Sequence, residues 1–181
     1  MNIAVYLGSR NGNSDEYVAF AERTGKWIGA NGHTLIYGGS RGGLMGILAE
    51  SALKENGSVI GVLPAVDEIM TLKQPGLTQY LYTADVAERR SKMISLANAF
   101  IVLPGGLGTL DEISEVLSLK SLDLIRQPII FFGPKAFFDP LRHLFRHLVN
   151  TGFSDEKYFE NLLFTDDADE MARFITGIRP E

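Results

Sequence analysis

Three glycine-rich turns and a few charged side chains hold most of the chemistry this chain can offer. Gly8-Ser9-Arg10-Asn11-Gly12, Gly38-Gly39-Ser40-Arg41-Gly42-Gly43 and Pro104-Gly105-Gly106-Leu107-Gly108-Thr109 each follow a short apolar run. Glycines in such turns let the backbone approach a ligand and aim N–H groups at it, and the positive end of the following helix favours an anion. One turn of this kind is explained equally well by the demands of a strand-to-helix connection. Three at one edge point to a ligand. The P-loop pattern G-x-x-x-x-G-K-[ST] is absent, and G-x-G-x-x-G fails because Leu110 and Asp111 follow Gly106-Leu107-Gly108 and Thr109. A phosphate without a dinucleotide is the reading left.

Glu112 has two readings. It stands three residues after Thr109, which is capping-box spacing, and it also falls one turn into the helix that follows the third glycine turn. Spacing alone does not choose between a capping partner and a working carboxylate. Arg89 precedes Met93 by four residues and Leu96 by seven, on the helix stripe that should face a sheet. A guanidinium there needs an anionic or polar partner; the plainer alternative is a snorkelling side chain or a surface pair with Asp85. His143 and His147 have the i,i+4 spacing of metal ligands, but Leu144 stands where a zinc protease has its glutamate. A half-exposed helix face explains them better, and no metal is expected. Ser9 lacks any nucleophile-elbow pattern, so a hydrolase triad is not expected either.

The elements that must position these residues are legible in the hydrophobic pattern. Strands are expected at 3–7, 34–37, 59–63, 79–82, 100–103, 129–132 and 162–165, several of them unbroken apolar runs suited to burial on both faces. Helices are expected near 15–31, 43–56, 86–98, 109–122, 135–150 and 167–177. Asp85 with Glu88 gives a second capping-box match. Pro64 and Pro75 bracket an irregular or short helical excursion over 64–78. Repeated βα units of this kind predict an α/β fold with a doubly wound parallel sheet, as a single domain over 1–181. With 181 residues, 45% hydrophobic and 22% charged, the chain can bury one sizeable core. Its net charge of −5 disfavours nucleic acid or an anionic membrane as main partner. Cysteine is absent, which removes disulfides, thiolate metal sites and cysteine nucleophiles. The amino terminus lacks a basic n-region, and no apolar stretch approaches the roughly 20 residues of a membrane span. A cytoplasmic location is therefore expected.

Residues 104–112, Pro-Gly-Gly-Leu-Gly-Thr-Leu-Asp-Glu, resemble the P-G-G-x-G-T-x-x-E motif of the LOG family. Members of that family are cytokinin riboside 5′-monophosphate phosphoribohydrolases, long mislabelled lysine decarboxylases. Three further segments agree: Gly8-Ser9, Tyr37-Gly38-Gly39 with Gly43-Leu44-Met45-Gly46, and Glu88-Arg89-Arg90 before Met93. Order and spacing match from about residue 3 to residue 134. The resemblance implies a homodimeric Rossmann-like enzyme without a cofactor. Water would release an adenine-type base and ribose 5-phosphate from the nucleotide. It implies Arg89 and Glu112 as the catalytic pair and Gly106, Gly108 and Thr109 as the phosphate loop. Arg90 stands where a lysine is usual. Ser9, Gly39, Gly105 and Ser118 complete the expected substrate contacts.

The chain departs from the family pattern at three places. Ala87 replaces a histidine, Thr71 falls where a glutamate is usual, and Ser118-Leu119 replace a threonine-tryptophan pair. These changes concern the base pocket more than the reaction. Two other functions therefore stay in view: a broader nucleosidase acting on AMP or other nucleoside monophosphates, and a non-catalytic nucleotide-binding module. The decarboxylase label is disfavoured, since no lysine sits in a recognisable Schiff-base setting.

Overall fold

The computed structural model describes residues 1–66 and 70–177. In chain order the elements are β1 (Asn2–Tyr6), α1 (Asp15–Ala30), β2 (Thr34–Tyr37), α2 (Gly43–Lys54), β3 (Ser58–Pro64) and β4 (Gln79–Thr83). Then follow α3 (Val86–Leu96), β5 (Ala99–Val102), α4 (Leu107–Ser121), β6 (Ile129–Phe132) and α5 (Lys135–Asn150). A 3₁₀ turn (Glu156–Phe159), β7 (Leu162–Thr165) and α6 (Ala168–Gly177) close the chain. All seven strands lie parallel in one sheet, in the order β4-β3-β2-β1-β5-β6-β7. This is the expected doubly wound α/β architecture. The strand order reverses between β1 and β5, and in such sheets a ligand crevice opens at the carboxyl ends of the strands flanking that point. The first and third glycine turns begin there.

The unbroken apolar runs are explained by burial from both sides. Strand β1 sends Ile3 and Val5 into one core with Phe20 and Ile28 of α1, Leu44 and Leu48 of α2, and Met171 of α6. Ala4 and Tyr6 point into the other core, with Met93 of α3, Ile113 and Val116 of α4, and Phe138 of α5. Expected element bounds hold to within two residues. Helix α4 begins two residues early, at Leu107, and that shift matters below. Part of the excursion over 64–78 lies outside the described residues. Its return stretch runs back along the second glycine turn: Arg41 N–H donates to the Leu72 carbonyl at 2.8 Å, and Gln74 N–H donates to the Gly39 carbonyl at 2.9 Å. Lys73 fastens this stretch to the edge strand, donating to the Tyr82 hydroxyl at 2.8 Å with its ammonium 3.8 Å from the Tyr80 ring centre. Among the described residues no helix is long and apolar enough to cross a membrane.

Candidate active site

A cavity of about 810 Å³ opens at the reversal point. Its floor is made by the turns after β1 and β5, which touch each other: Gly8 N–H donates to the Pro104 carbonyl at 3.1 Å. The absence of a side chain at Gly105 is needed for this contact. A Cβ there would stand 2.9 Å from the Gly8 nitrogen and 2.1 Å from Thr109 Oγ1. Gly106 and Gly108 are different. A Cβ on either would meet nothing within 4 Å, and neither has a positive φ. Folding does not require glycine at these two positions, and open backbone facing a cavity is what a bound group would use.

Helix α4 starts on that open backbone. Its N-cap is Gly106, with no side-chain cap, and the first helical bond is Leu110 N–H to the Gly106 carbonyl at 3.0 Å. The amides at the start of the helix thus lack intrahelical partners and lie at its positive end. Of the two readings open for Glu112, this placement removes the capping partner, because Gly106 and not Thr109 is the N-cap. Thr109 is the third helical residue, and its side chain packs back on Gly105. Because Gly106 is extended and serves as the N-cap, the helix starts two residues before the position that the pattern implied. At Asp85 and Glu88 the same pattern is real. Asp85 accepts from Glu88 N–H at 2.8 Å, and Glu88 accepts from Ala84 N–H at 2.6 Å.

Freed from a capping role, Glu112 turns inward and accepts a short hydrogen bond from Arg89 Nη2. The residue is only 8% exposed. Burial pushes its carboxyl up to about 7, against the lowering effect of Arg89. Burial and the Arg89 charge thus act on this carboxyl in opposite directions, and burial is the larger effect. Gly38 makes the pairing possible, since a Cβ there would stand 2.8 Å from Arg89 Nη2. Beneath the pair lies Tyr6, whose phenol is pushed up by burial and by the Glu112 and Glu115 charges. Arg90 binds two carboxylates of α4, Glu115 at 2.6 Å and Asp111 at 2.9 Å.

Of the residues expected from sequence, Ser9, Arg89, Arg90, Gly105, Gly106, Gly108, Thr109 and Glu112 all line this cavity. Two do not. Gly39 is buried behind it with φ +77°, packed on Leu63, and its neighbours Gly38 and Ser40 line the cavity instead. Ser118 is exposed further along α4, its carbonyl accepting from the Ser121 hydroxyl at 2.8 Å. A helix turns 100° per residue, so six positions carry Ser118 off the face that Glu112 presents. Arg10, Met45, Leu72 and Val86 also line the cavity and were missed. Arg10 was visible inside its glycine turn, whereas no local signal marks Leu72. The two histidines lie exposed on α5.

The fold is a Rossmann-like α/β fold, and its cleft lies at the sheet reversal. The sequence profile of a family described as "Possible lysine decarboxylase" matches residues 45–175. A cytokinin riboside 5′-monophosphate phosphoribohydrolase of Rhodococcoides fascians is 36% identical over 153 residues, covering 84% of this chain and 77% of that protein. One of the same name from Mycobacterium marinum is 32% identical over 168 residues, covering 93% and 89%. The chain belongs to this family, the LOG family. Among solved structures, the molybdenum cofactor binding protein of Rippkaea orientalis shares the fold, with TM-score 0.75 and 20% identity over 97% of this chain and 95% of that one.

Proposed function

We propose that this protein hydrolyses the N-glycosidic bond of a nucleoside 5′-monophosphate, N6-substituted AMP in the first instance, releasing free base and ribose 5-phosphate. The observation that carries this reading is the buried Arg89–Glu112 pair set one turn beyond an uncapped helix N-terminus. A 5′-phosphate on the open amides of Gly106 to Thr109 brings the ribose to Glu112. As the C1′–N bond lengthens, positive charge builds on the sugar, and the adjacent carboxylate stabilises it. Water adds its hydroxyl to C1′; Glu112 takes the proton and returns it to the departing base. A carboxyl balanced near neutral pH suits both halves of that transfer. Arg89 orients the carboxylate. The family relationship to phosphoribohydrolases supports the same reaction.

Away from the phosphate loop the cavity wall is apolar, with Met45, Leu72 and Val86. Such a wall offers a base contact area and few hydrogen bonds, which favours acceptance of AMP alongside N6-modified nucleotides. We also propose a two-fold homodimer using α3 and α4, because Leu107 is 85% exposed and Leu110 43% exposed at the start of α4. These leucines border an apolar groove of about 470 Å³ between α4 and α5. The decisive experiment incubates the purified protein with a panel of nucleoside monophosphates and the matching nucleosides. The expected products are free base and ribose 5-phosphate, formed far faster from AMP than from adenosine. Nucleotide binding without base release defeats the catalytic reading, and equal rates on AMP and adenosine defeat the phosphate anchor.

A further inference from the structure

The charges around the cleft are unevenly spent. Three of the described arginines line it: Arg10, Arg89 and Arg90. Arg89 is held by Glu112, the carboxylate that the reaction uses. Arg90, the obvious candidate for the phosphate, lies between Glu115 and Asp111. Two carboxylates against one guanidinium leave that trio negative, so it repels a phosphate dianion unless an ion pair is first broken. Arg10 makes no ion pair with any described residue.

The backbone of Arg10 is fixed although its side chain is exposed. Gly43, the first residue of α2, sits so close that a Cβ there would stand 2.4 Å from the Arg10 nitrogen. On the other side Gly8 is hydrogen-bonded to the Pro104 carbonyl, against the turn that leads into Gly106 and Gly108. The arch from Gly8 to Arg10 is therefore wedged between the start of α2 and the loop at the start of α4. A long cationic side chain is thus rooted on the wall of the cavity that the amides at the start of α4 also line.

We infer that Arg10 is the cationic side chain that closes on the substrate's 5′-phosphate, while Arg90 stays engaged with Asp111 and Glu115 as a strut between α3 and α4. This rests on the nucleotide reading above. The planar guanidinium offers paired donors that match two phosphate oxygens, while the Gly106–Thr109 amides serve the oxygens facing the helix. Arg10 thereby makes the enzyme specific for the phosphorylated substrate and takes no part in bond cleavage.

The test compares Arg10→Ala, Arg10→Lys and Arg90→Ala with wild type. The probe is ribose 5-phosphate, titrated by calorimetry, with AMP and adenosine hydrolysis measured in parallel. Arg10→Ala is expected to weaken ribose 5-phosphate binding about tenfold or more, the scale of a lost charged hydrogen bond. The preference for AMP over adenosine, as a ratio of kcat/KM, should fall by a similar factor. Arg10→Lys should lie between, and the thermal midpoint should not move, because the side chain is exposed. Unchanged ribose 5-phosphate affinity in Arg10→Ala, with the loss appearing in Arg90→Ala, overturns the assignment and leaves the hydrolase reading standing. Loss of binding in Arg10→Ala from a wild type that releases no base supports the assignment and removes the hydrolase reading. A wild type that binds no ribose 5-phosphate overturns both.

Discussion

Burial outweighs the opposing charge of Arg89 and pushes the Glu112 carboxyl up from 4.5 to about 7. The consequence for stability has a definite sign. Between about 4.5 and 7 the folded protein holds a proton that the unfolded chain has released, so stability falls as pH rises through that window. Glu112→Gln removes the titration while leaving an oxygen for Arg89 to donate to. The thermal midpoint of the variant should therefore gain on wild type between pH 5 and pH 8. Parallel midpoint curves would show that Glu112 does not titrate there. The same change should lower turnover by roughly two orders of magnitude, as removal of a positioned base or charge stabiliser usually does. Wild-type kcat/KM should rise through pH 7 as Glu112 ionises, and a flat profile over that range contradicts the base role.

At the scale of elements, the site depends on how closely backbone segments approach. The turn after β2 runs under α3 at Gly38, where the Arg89 guanidinium occupies the volume of a missing side chain. Gly38→Ala would bring a Cβ to 2.5 Å from Met45 Cε and 2.8 Å from Arg89 Nη2, both ends of flexible side chains. The fold should survive with a midpoint loss of a few degrees, and the methyl should displace Arg89 from Glu112. Activity is expected to drop on the order of tenfold or more, since a displaced catalytic group costs heavily even when still present. A Gly38→Ala enzyme with wild-type turnover would show that this close packing does not hold the pair in place. Gly105 is less forgiving, because its neighbour is the Gly8 backbone, which cannot swing away.

For the whole molecule, the exposed leucines set the question of assembly. The apolar residues of α4 divide by depth: Ile113 and Val116 are spent in the core, while Leu110 and the preceding Leu107 remain outside. Leu144 of α5, 48% exposed, lines the same groove, and the proposed dimer takes these three leucines as its contact. An isologous dimer would cover each copy's patch with its partner's. Light scattering should give twice the 19.9 kDa chain mass, and Leu110→Glu should shift the population toward single chains. A wild type that stays at the single-chain mass at working concentration eliminates the dimer.

The sequence by itself determined the elements and their faces. Phe100 to Leu103 and Ile129 to Phe132 are short apolar runs without interruption, which suit a strand covered on both sides, and the glycine turns after β1, β2 and β5 announce a crevice at one sheet edge. The motif over 104–112 carried the family relationship, because the third glycine turn and the glutamate are close in sequence and fixed by one helix. What only the tertiary structure decided were relations between elements. Arg89 meets Glu112 across 23 residues, and Arg90 meets Glu115 across 25, because the parallel order of β1 and β5 lays α3 and α4 side by side. Local periodicity gives each helix a buried face, yet it holds no information on which neighbouring helix that face meets. For the same reason the pattern could not separate Gly39 from its cavity-lining neighbours Gly38 and Ser40, could not show that Ser118 lies off the cavity, and left open a cap at Thr109 that the helix start at Leu107 excludes. Those outcomes turn on where a helix begins and how close two chains come, which packing settles after the sequence pattern has been satisfied.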